Sequence, residues 1–154
     1  MTLEETLLQK LAEARPEEAG RHTLQLGDDS SGVVVYLDIE RRDLFSCLLW
    51  EVRVSRRASF DDLSSQARRL TERITGLLEP LQVDEIDSAA GVARLRSAAP
   101  QARGDQRTYY ELTLRGSTAE LRRWQGSMTS ARRQAVAFAL TNEALAKLVG
   151  DLAS

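Results

Sequence analysis

Histidine and cysteine are almost missing from this 154-residue chain, with His22 and Cys47 the one residue of each. One cysteine cannot form a disulfide within the chain, which excludes a cystine-stapled secreted fold. One histidine and one cysteine cannot close a zinc site, which needs several such ligands. Lysine is nearly as scarce: Lys10 and Lys147 are the whole set, and every other cation is arginine. Acid–base and nucleophilic catalysis usually recruit His, Cys or a tuned Lys, so the usual catalytic types are thin here. No segment approaches the run of about 20 apolar residues that a membrane helix requires. The opening Met1-Thr2-Leu3-Glu4-Glu5 is acidic and has no apolar run, unlike a signal peptide. The expected location is therefore a reducing cytoplasm. Neither Gly-x-x-x-x-Gly-Lys-Ser/Thr, Gly-x-Gly-x-x-Gly nor Gly-x-Ser-x-Gly occurs, so phosphate-cradling loops and nucleophile elbows have no representative. A net charge of −2 argues against a strongly basic nucleic-acid protein.

What is present is an ordinary globular composition, 42% hydrophobic and 29% charged, enough to bury a core. The arginine usage fits the coding bias of a GC-rich genome, because the arginines are scattered rather than gathered into one run. Residues 1–154 read as one α+β domain. Leu3, Leu7, Leu8 and Leu11 recur at helical spacing behind Thr2, with Glu5 three residues on, and predict an amphipathic N-terminal arm over residues 1–15. A linker follows over residues 16–21. Leu24 and Leu26 alternate before Gly27-Asp28-Asp29-Ser30-Ser31-Gly32, and Val33, Val35, Leu37 and Ile39 alternate after it, as in a hairpin with one buried face. Leu48, Trp50, Val52 and Val54 are expected on one face of the next strand. Ser59-Phe60-Asp61-Asp62 reads as a helix start, with Phe60, Leu63, Ala67, Leu70, Ile74 and Leu77 as its stripe and Pro80 as its end.

Residues 81–87 and 91–97 pair around Ser88-Ala89-Ala90-Gly91, residues 100–106 read as an exposed loop, and strands follow over 108–115 and 118–125. Residues 133–152 could form one helix; the alternation of Val136, Phe138 and Leu140 favours a strand, with Thr141 capping a last helix through Leu145, Leu148, Val149 and Leu152. The expected fold is a largely antiparallel sheet of about seven to eight strands. A middle and a C-terminal helix pack on one face of it, beside the N-terminal amphipathic helix. Residues 22–80 and 81–152 have the order of a remote internal duplication.

Functional candidates are few. His22 reads as a strand-end residue and Cys47 as a buried, inert thiol. Asp28-Asp29 suits a turn, and Asp84, Glu85 and Asp87 cluster as a hard-cation site would, though acidic residues are also ordinary turn formers. No cofactor is implied. In and beside the segment from Thr108 to Arg123, Tyr109, Tyr110 and Trp124 are interleaved with Arg107, Arg115, Arg122 and Arg123, the residue types of a single-stranded nucleic-acid platform; Tyr109, Tyr110, Trp124, Arg115, Arg122 and Arg123 are the six candidate binding residues. Residues 1–40 carry nine acidic side chains against three basic, and residues 41–133 carry seventeen basic against twelve acidic. That asymmetry allows a basic face, or an acidic N-terminal helix lying across it.

Thr108-Tyr109-Tyr110-Glu111-Leu112, Leu121-Arg122-Arg123-Trp124 and Val136 through Glu143 together resemble a small family of uncharacterised bacterial proteins. The resemblance implies a bacterial origin and a strand before the last helix, and carries no activity. The order of elements is similar to class I type III secretion chaperones, small acidic dimers that bind an extended effector segment. The leading expectation is a non-enzymatic protein-binding or assembly module, a homo-oligomer or partner of another protein, with Trp50, Tyr110 or Trp124 as anchors. Single-stranded nucleic-acid binding and a carboxylate–metal enzyme are the alternatives.

Overall fold

The computed structural model describes residues 1–13, 20–28 and 31–154. Residues 16–19 of the expected linker, Ala14 at the expected end of the first helix, and Asp29 and Ser30 of the first turn lie outside them.

Three helices and ten strands follow in the order α1 (Leu3–Glu13), β1 (His22–Asp28), β2 (Val33–Arg42), β3 (Ser46–Ser55), α2 (Leu63–Arg73), β4 (Leu81–Asp87), β5 (Val92–Ser97), β6 (Gln101–Arg103), β7 (Gln106–Arg115), β8 (Thr118–Ser127), β9 (Arg133–Val136), β10 (Phe138–Thr141) and α3 (Asn142–Ala153). The fold is α+β, and every strand pairing is antiparallel. The main path of the sheet is β1-β2-β3-β8-β7-β5-β4. Two meanders, one from each half of the chain, therefore meet where β3 pairs β8. Among the described residues no helix is long and apolar enough to cross a membrane.

The strand over residues 133–141 closes a fork. β3 and β8 pair only through Val52–Ser55 and Thr118–Leu121. Beyond that they part, and β9 takes the freed edge of β8 while β10 takes that of β3. Val136 and Phe138 therefore belong to one strand that changes partner at Ala137. Thr141 ends it and caps α3, accepting a hydrogen bond from Ala144 N at 3.1 Å.

One side of the sheet is covered by the helices. Leu37, Leu49, Val52, Leu95, Leu112, Leu114 and Leu121 are fully buried there, with Leu70 of α2 and Leu145 and Leu152 of α3. The α1 helix packs on α3, with Leu7 and Leu11 buried. Its acidic side chains thus lie on the helix side and not across an arginine-bearing strand face. Lys10 Nζ donates to the Gln25 carbonyl of edge strand β1 at 3.1 Å, and Arg42 donates to the Leu11 carbonyl at 2.9 Å.

Four elements depart from the sequence expectation, each for a local reason. Pairing of β2 with β3 skips Glu40 and Trp50, so each is bulged out of the ladder. Trp50 Nε1 donates to Glu40 at 2.6 Å. The slip moves the buried series from Cys47 and Leu49 to Val52 and Val54, so Leu48 and Trp50 are only half-buried and do not share their face. The α2 helix starts later than expected: Asp62, not Ser59, is its N-cap, accepting from Ser65 N at 3.1 Å. It also ends at Ile74, whose extended backbone stops it well before Pro80. Residues 101–103 form a strand where a loop was expected, because their pairing with β7 leaves all three side chains exposed and so produces no apolar pattern.

Replacing the cap with Thr141→Ala should lower stability by about 1 kcal/mol. Urea denaturation followed by circular dichroism checks this, with the slope of the transition unchanged.

Candidate functional site

The aromatic–arginine candidates lie on two facing strands. In the β7–β8 register Tyr109 faces Trp124, Tyr110 faces Arg123 and Glu111 faces Arg122. Successive side chains of a strand point to opposite sides, so the six candidates divide. Tyr110 and Arg123 turn into the helix-covered side and are buried. Tyr109, Arg115, Arg122 and Trp124 lie on the open side. They cannot form one continuous platform.

Inside, Arg123 and Glu79 make a two-pronged ion pair at 3.0 and 3.2 Å. Glu79 also accepts from Ser97 Oγ at 2.9 Å, and Ser97 Oγ accepts from Tyr110 N at 2.8 Å. The Arg123 guanidinium lies 4.1 Å from the centre of the Tyr110 ring, and Phe138 meets that ring edge-on at 5.7 Å. Leu78 N donates to the Tyr110 hydroxyl at 3.4 Å. Burial pushes the Tyr110 phenol up, against the smaller opposing effects of the Leu78 hydrogen bond and Arg123. This cluster pins the segment that connects α2 to β4 onto the centre of the sheet. Its role is structural: a charged pair out of water persists only when both partners are present and hydrogen-bonded.

The open side is a lattice of acids and arginines built around two carboxylates. Glu111 is 5% exposed and accepts from Arg96 at 2.8 Å and from Arg133 at 2.9 and 3.1 Å. Burial works against its charge, but the hydrogen bonds and charges of Arg133 and Arg96 outweigh that, so its carboxyl is held below the usual range. Glu51, 4% exposed, lies between Arg122 at 3.3 Å and Arg53 at 3.4 Å. There burial wins and the carboxyl is raised, in spite of Arg122. Arg122 also bonds Glu120, and Arg94 pairs with Glu85 at 2.8 Å. Arg115 is exposed and makes no side-chain hydrogen bond or ion pair with the other described residues.

The two open-side rings carry guanidinium groups of their own. Arg133 lies 4.0 Å from the centre of the Trp124 ring, and Arg96 lies 5.5 Å from that of Tyr109. Arg133 also donates to the Tyr109 hydroxyl at 3.2 Å. One face of each ring is thus already stacked, and the stacking groups are themselves neutralised by Glu111. Trp50 carries Arg21 in the same way, at 5.0 Å.

The remaining candidates are each engaged locally. His22 Nδ1 bonds the Gly20 carbonyl at 2.7 Å. Cys47 is buried, its thiol pushed up to about 11 by desolvation, and its sulfur lies 3.6 Å from Asn142 Oδ1. Asp84 is skipped in the β4–β5 ladder and pairs with Arg96 at 3.5 Å. Glu85 holds Arg94, and Asp87 accepts from Ala90 N at 3.0 Å across its turn. Among the described residues no three metal-binding side chains converge.

Comparison with protein-family models, with curated proteins and with solved structures returns no match. The site therefore has to be read from its own geometry.

Sequence reasoning missed Glu51, Glu79, Glu111 and Arg133, whose importance comes from pairings across strands. It also missed the cup of about 380 Å³ where β7, β8 and the 128–132 loop meet. The exposed pair Leu44 and Phe45, between β2 and β3, was not among the sequence candidates either.

Two outcomes follow for the carboxylates. Glu79→Ala should cost about 3–5 kcal/mol by leaving Arg123 buried and unpaired, whereas Glu79→Leu with Arg123→Met should recover most of that loss in denaturant titrations. Glu111→Gln should cost about 1–2 kcal/mol at neutral pH, a figure reduced because Arg96 and Arg133 are partly solvated. A carboxyl with a depressed folded pKa contributes stability above its unfolded pKa and loses it as pH falls through the folded one. The gap between wild type and Glu111→Gln should therefore close in acid, below the ordinary carboxylate range, as read by urea melts across pH.

Proposed function

We propose that this chain is a non-enzymatic protein-binding or assembly module that works as a homo-oligomer. The β2–β3 turn carries the proposal. Asp43 Oδ1 accepts from Phe45 N and Ser46 N, both at 2.8 Å, and from Ser46 Oγ at 3.2 Å. Those bonds hold the Asp43 carboxyl below its ordinary range. Asn142, at the start of α3, donates to the Phe45 carbonyl at 2.7 Å and to the Leu44 carbonyl at 3.0 Å. The turn is thus locked from both sides, yet Leu44 is 72% and Phe45 78% exposed.

A rigid turn that displays two adjacent large apolar side chains loses little conformational freedom on binding. Phenylalanine is among the residues enriched at protein interfaces, and Leu44 extends its apolar area. The element order, helix, three strands, helix, strands, helix, supports a secretion-chaperone-like plan for the same activity. On the open side Glu51 and Glu111 are taken up in ion pairs with Arg53, Arg122, Arg96 and Arg133, which favours a binding role over acid–base chemistry there.

Single-stranded nucleic-acid binding keeps one supporting observation, the Tyr109–Trp124 pair side by side on the open face. Against it stand the guanidinium groups already on those rings and the balance of charge around them. The carboxylate–metal reading has less support, because Asp84, Glu85 and Asp87 each hold an arginine or a turn.

Sedimentation velocity across a concentration series tests the assembly reading. The wild-type chain should show a species larger than the monomer. Leu44→Ser with Phe45→Ser should weaken its association at least about thirtyfold, the effect of losing one strong anchor. A wild-type monomer at every concentration contradicts the proposal.

A further inference from the structure

Charge on the open side is balanced at nearly every arginine that lies within the sheet, and the exception has a shape. At the end of β7 and β8, next to the 128–132 loop, the cup of about 380 Å³ is lined by Arg96, Arg107, Arg132 and Arg133 and by a single carboxylate, Asp84. Arg96 and Arg133 are held in place from behind by Glu111. The other two have no acidic partner. The Arg107 guanidinium donates only to the backbone carbonyls of Gly104 and Gln106, at 2.8 and 2.9 Å. The Arg132 side chain makes no hydrogen bond or ion pair with the other described residues. A hollow lined by four guanidinium groups and one carboxylate has an excess of positive charge.

The same cup has an apolar part. Tyr109, Met128 and Pro100 line it, and Met128 is 69% exposed. Its volume is in the range of small-molecule sites, where apolar walls and a few fixed polar groups act together. Guanidinium groups match the planar, two-oxygen geometry of carboxylate and phosphate, and Arg107 and Arg132 have no acidic partner among the described residues to compete for such a group. A second depression of about 500 Å³ adjoins the cup and shares Gly126, Ser127, Ser130, Arg132 and Arg133 with it.

We propose that this cup is a binding site for a small molecule that carries a phosphate or carboxylate group on an apolar ring or chain. The anionic group sits between Arg107 and Arg132, and the apolar part lies against Tyr109 and Met128. The site is separate from the Leu44–Phe45 turn and does not depend on the assembly reading.

Phenyl phosphate, benzoate and inorganic phosphate serve as probes, titrated by calorimetry into the wild-type chain. A parallel readout uses Trp50→Phe, in which emission reports Trp124, stacked under the cup-lining Arg133. Saturable binding of phenyl phosphate or benzoate is expected, tighter than that of inorganic phosphate. Arg107→Gln with Arg132→Gln should weaken it about tenfold or more. Arg68→Gln with Arg73→Gln removes the same charge from α2 and should leave it unchanged. Absence of saturable binding up to about 20 mM, a range that covers even weak anion sites, overturns the proposal. Equal weakening by both arginine pairs overturns it as well, since that is bulk electrostatics. So does tight binding of a single-stranded oligonucleotide that Trp124→Ala abolishes and the Arg107/Arg132 pair does not affect.

Discussion

Strands β7 and β8 run side by side for ten residues, and strict alternation along them sorts neighbouring residues to opposite sides of the sheet. Most of what the molecule offers to a partner depends on that sorting. Tyr110 and Arg123 go inward and become part of the core. Tyr109, Glu111, Arg122 and Trp124 go outward and form the wet face. A shift of one residue in register would exchange the two sets, placing Glu111 and Arg122 against the helices with no partners there. The buried Glu79–Arg123 pair and the Tyr110–Phe138 contact resist that shift, because neither survives it.

Three carboxylates organise the arginine-rich second half. Glu79 does so inside, Glu111 and Glu51 on the open side. Glu51 and Glu111 each hold guanidinium groups from two strands, and Glu79 holds Arg123 together with the Ser97 hydroxyl. Glu111 braces β7 against its neighbour β5 through Arg96 and reaches across β8 to β9 through Arg133. This explains how a sheet face rich in arginine can be close to neutral. It leaves Arg115 at the end of β7 unpaired, and Arg107 and Arg132 without acidic partners among the described residues, beside the loop that follows β8. A rigid apolar turn at one end of the sheet and a cationic cup at the edge of its open face are thus two separate surfaces on one frame.

The class of fold was legible because it rests on periodicity. Leu24 and Leu26, Val35 to Ile39, Tyr110 to Leu114 and the stripe of α3 all alternate or repeat as their elements require. The strand over 133–141 was legible for the same reason, through Val136, Phe138 and Leu140, although its change of partner at Ala137 was not. Bulges were invisible: in residues 47–54 both parities are apolar, so nothing local shows that Trp50 leaves the ladder. The start of α2 was misplaced because Ser59 and Asp62 are both competent caps; in the fold Phe60 N donates to the Gly116 carbonyl at 2.9 Å, which ties Phe60 to the β7–β8 turn, and the helix is capped at Asp62. The candidate site was half legible. Its tyrosines, tryptophan and arginines stand out in the sequence, but the side each one takes follows from register, and the carboxylates that hold the arginines are partners across strands. A cup walled by residues of β4 and β5 as well as by the β7–β8 hairpin and the loop after it has no linear signature.

The sharpest single measurement compares two adjacent tyrosines. Brief treatment of the native chain with tetranitromethane, followed by peptide mass spectrometry, reads the nitration of Tyr109 and Tyr110 separately in the same molecule. The sorting described here requires Tyr109 to be modified while Tyr110 stays unreactive until the chain is unfolded. Nitration of Tyr110 as fast as Tyr109 in the folded protein would contradict it.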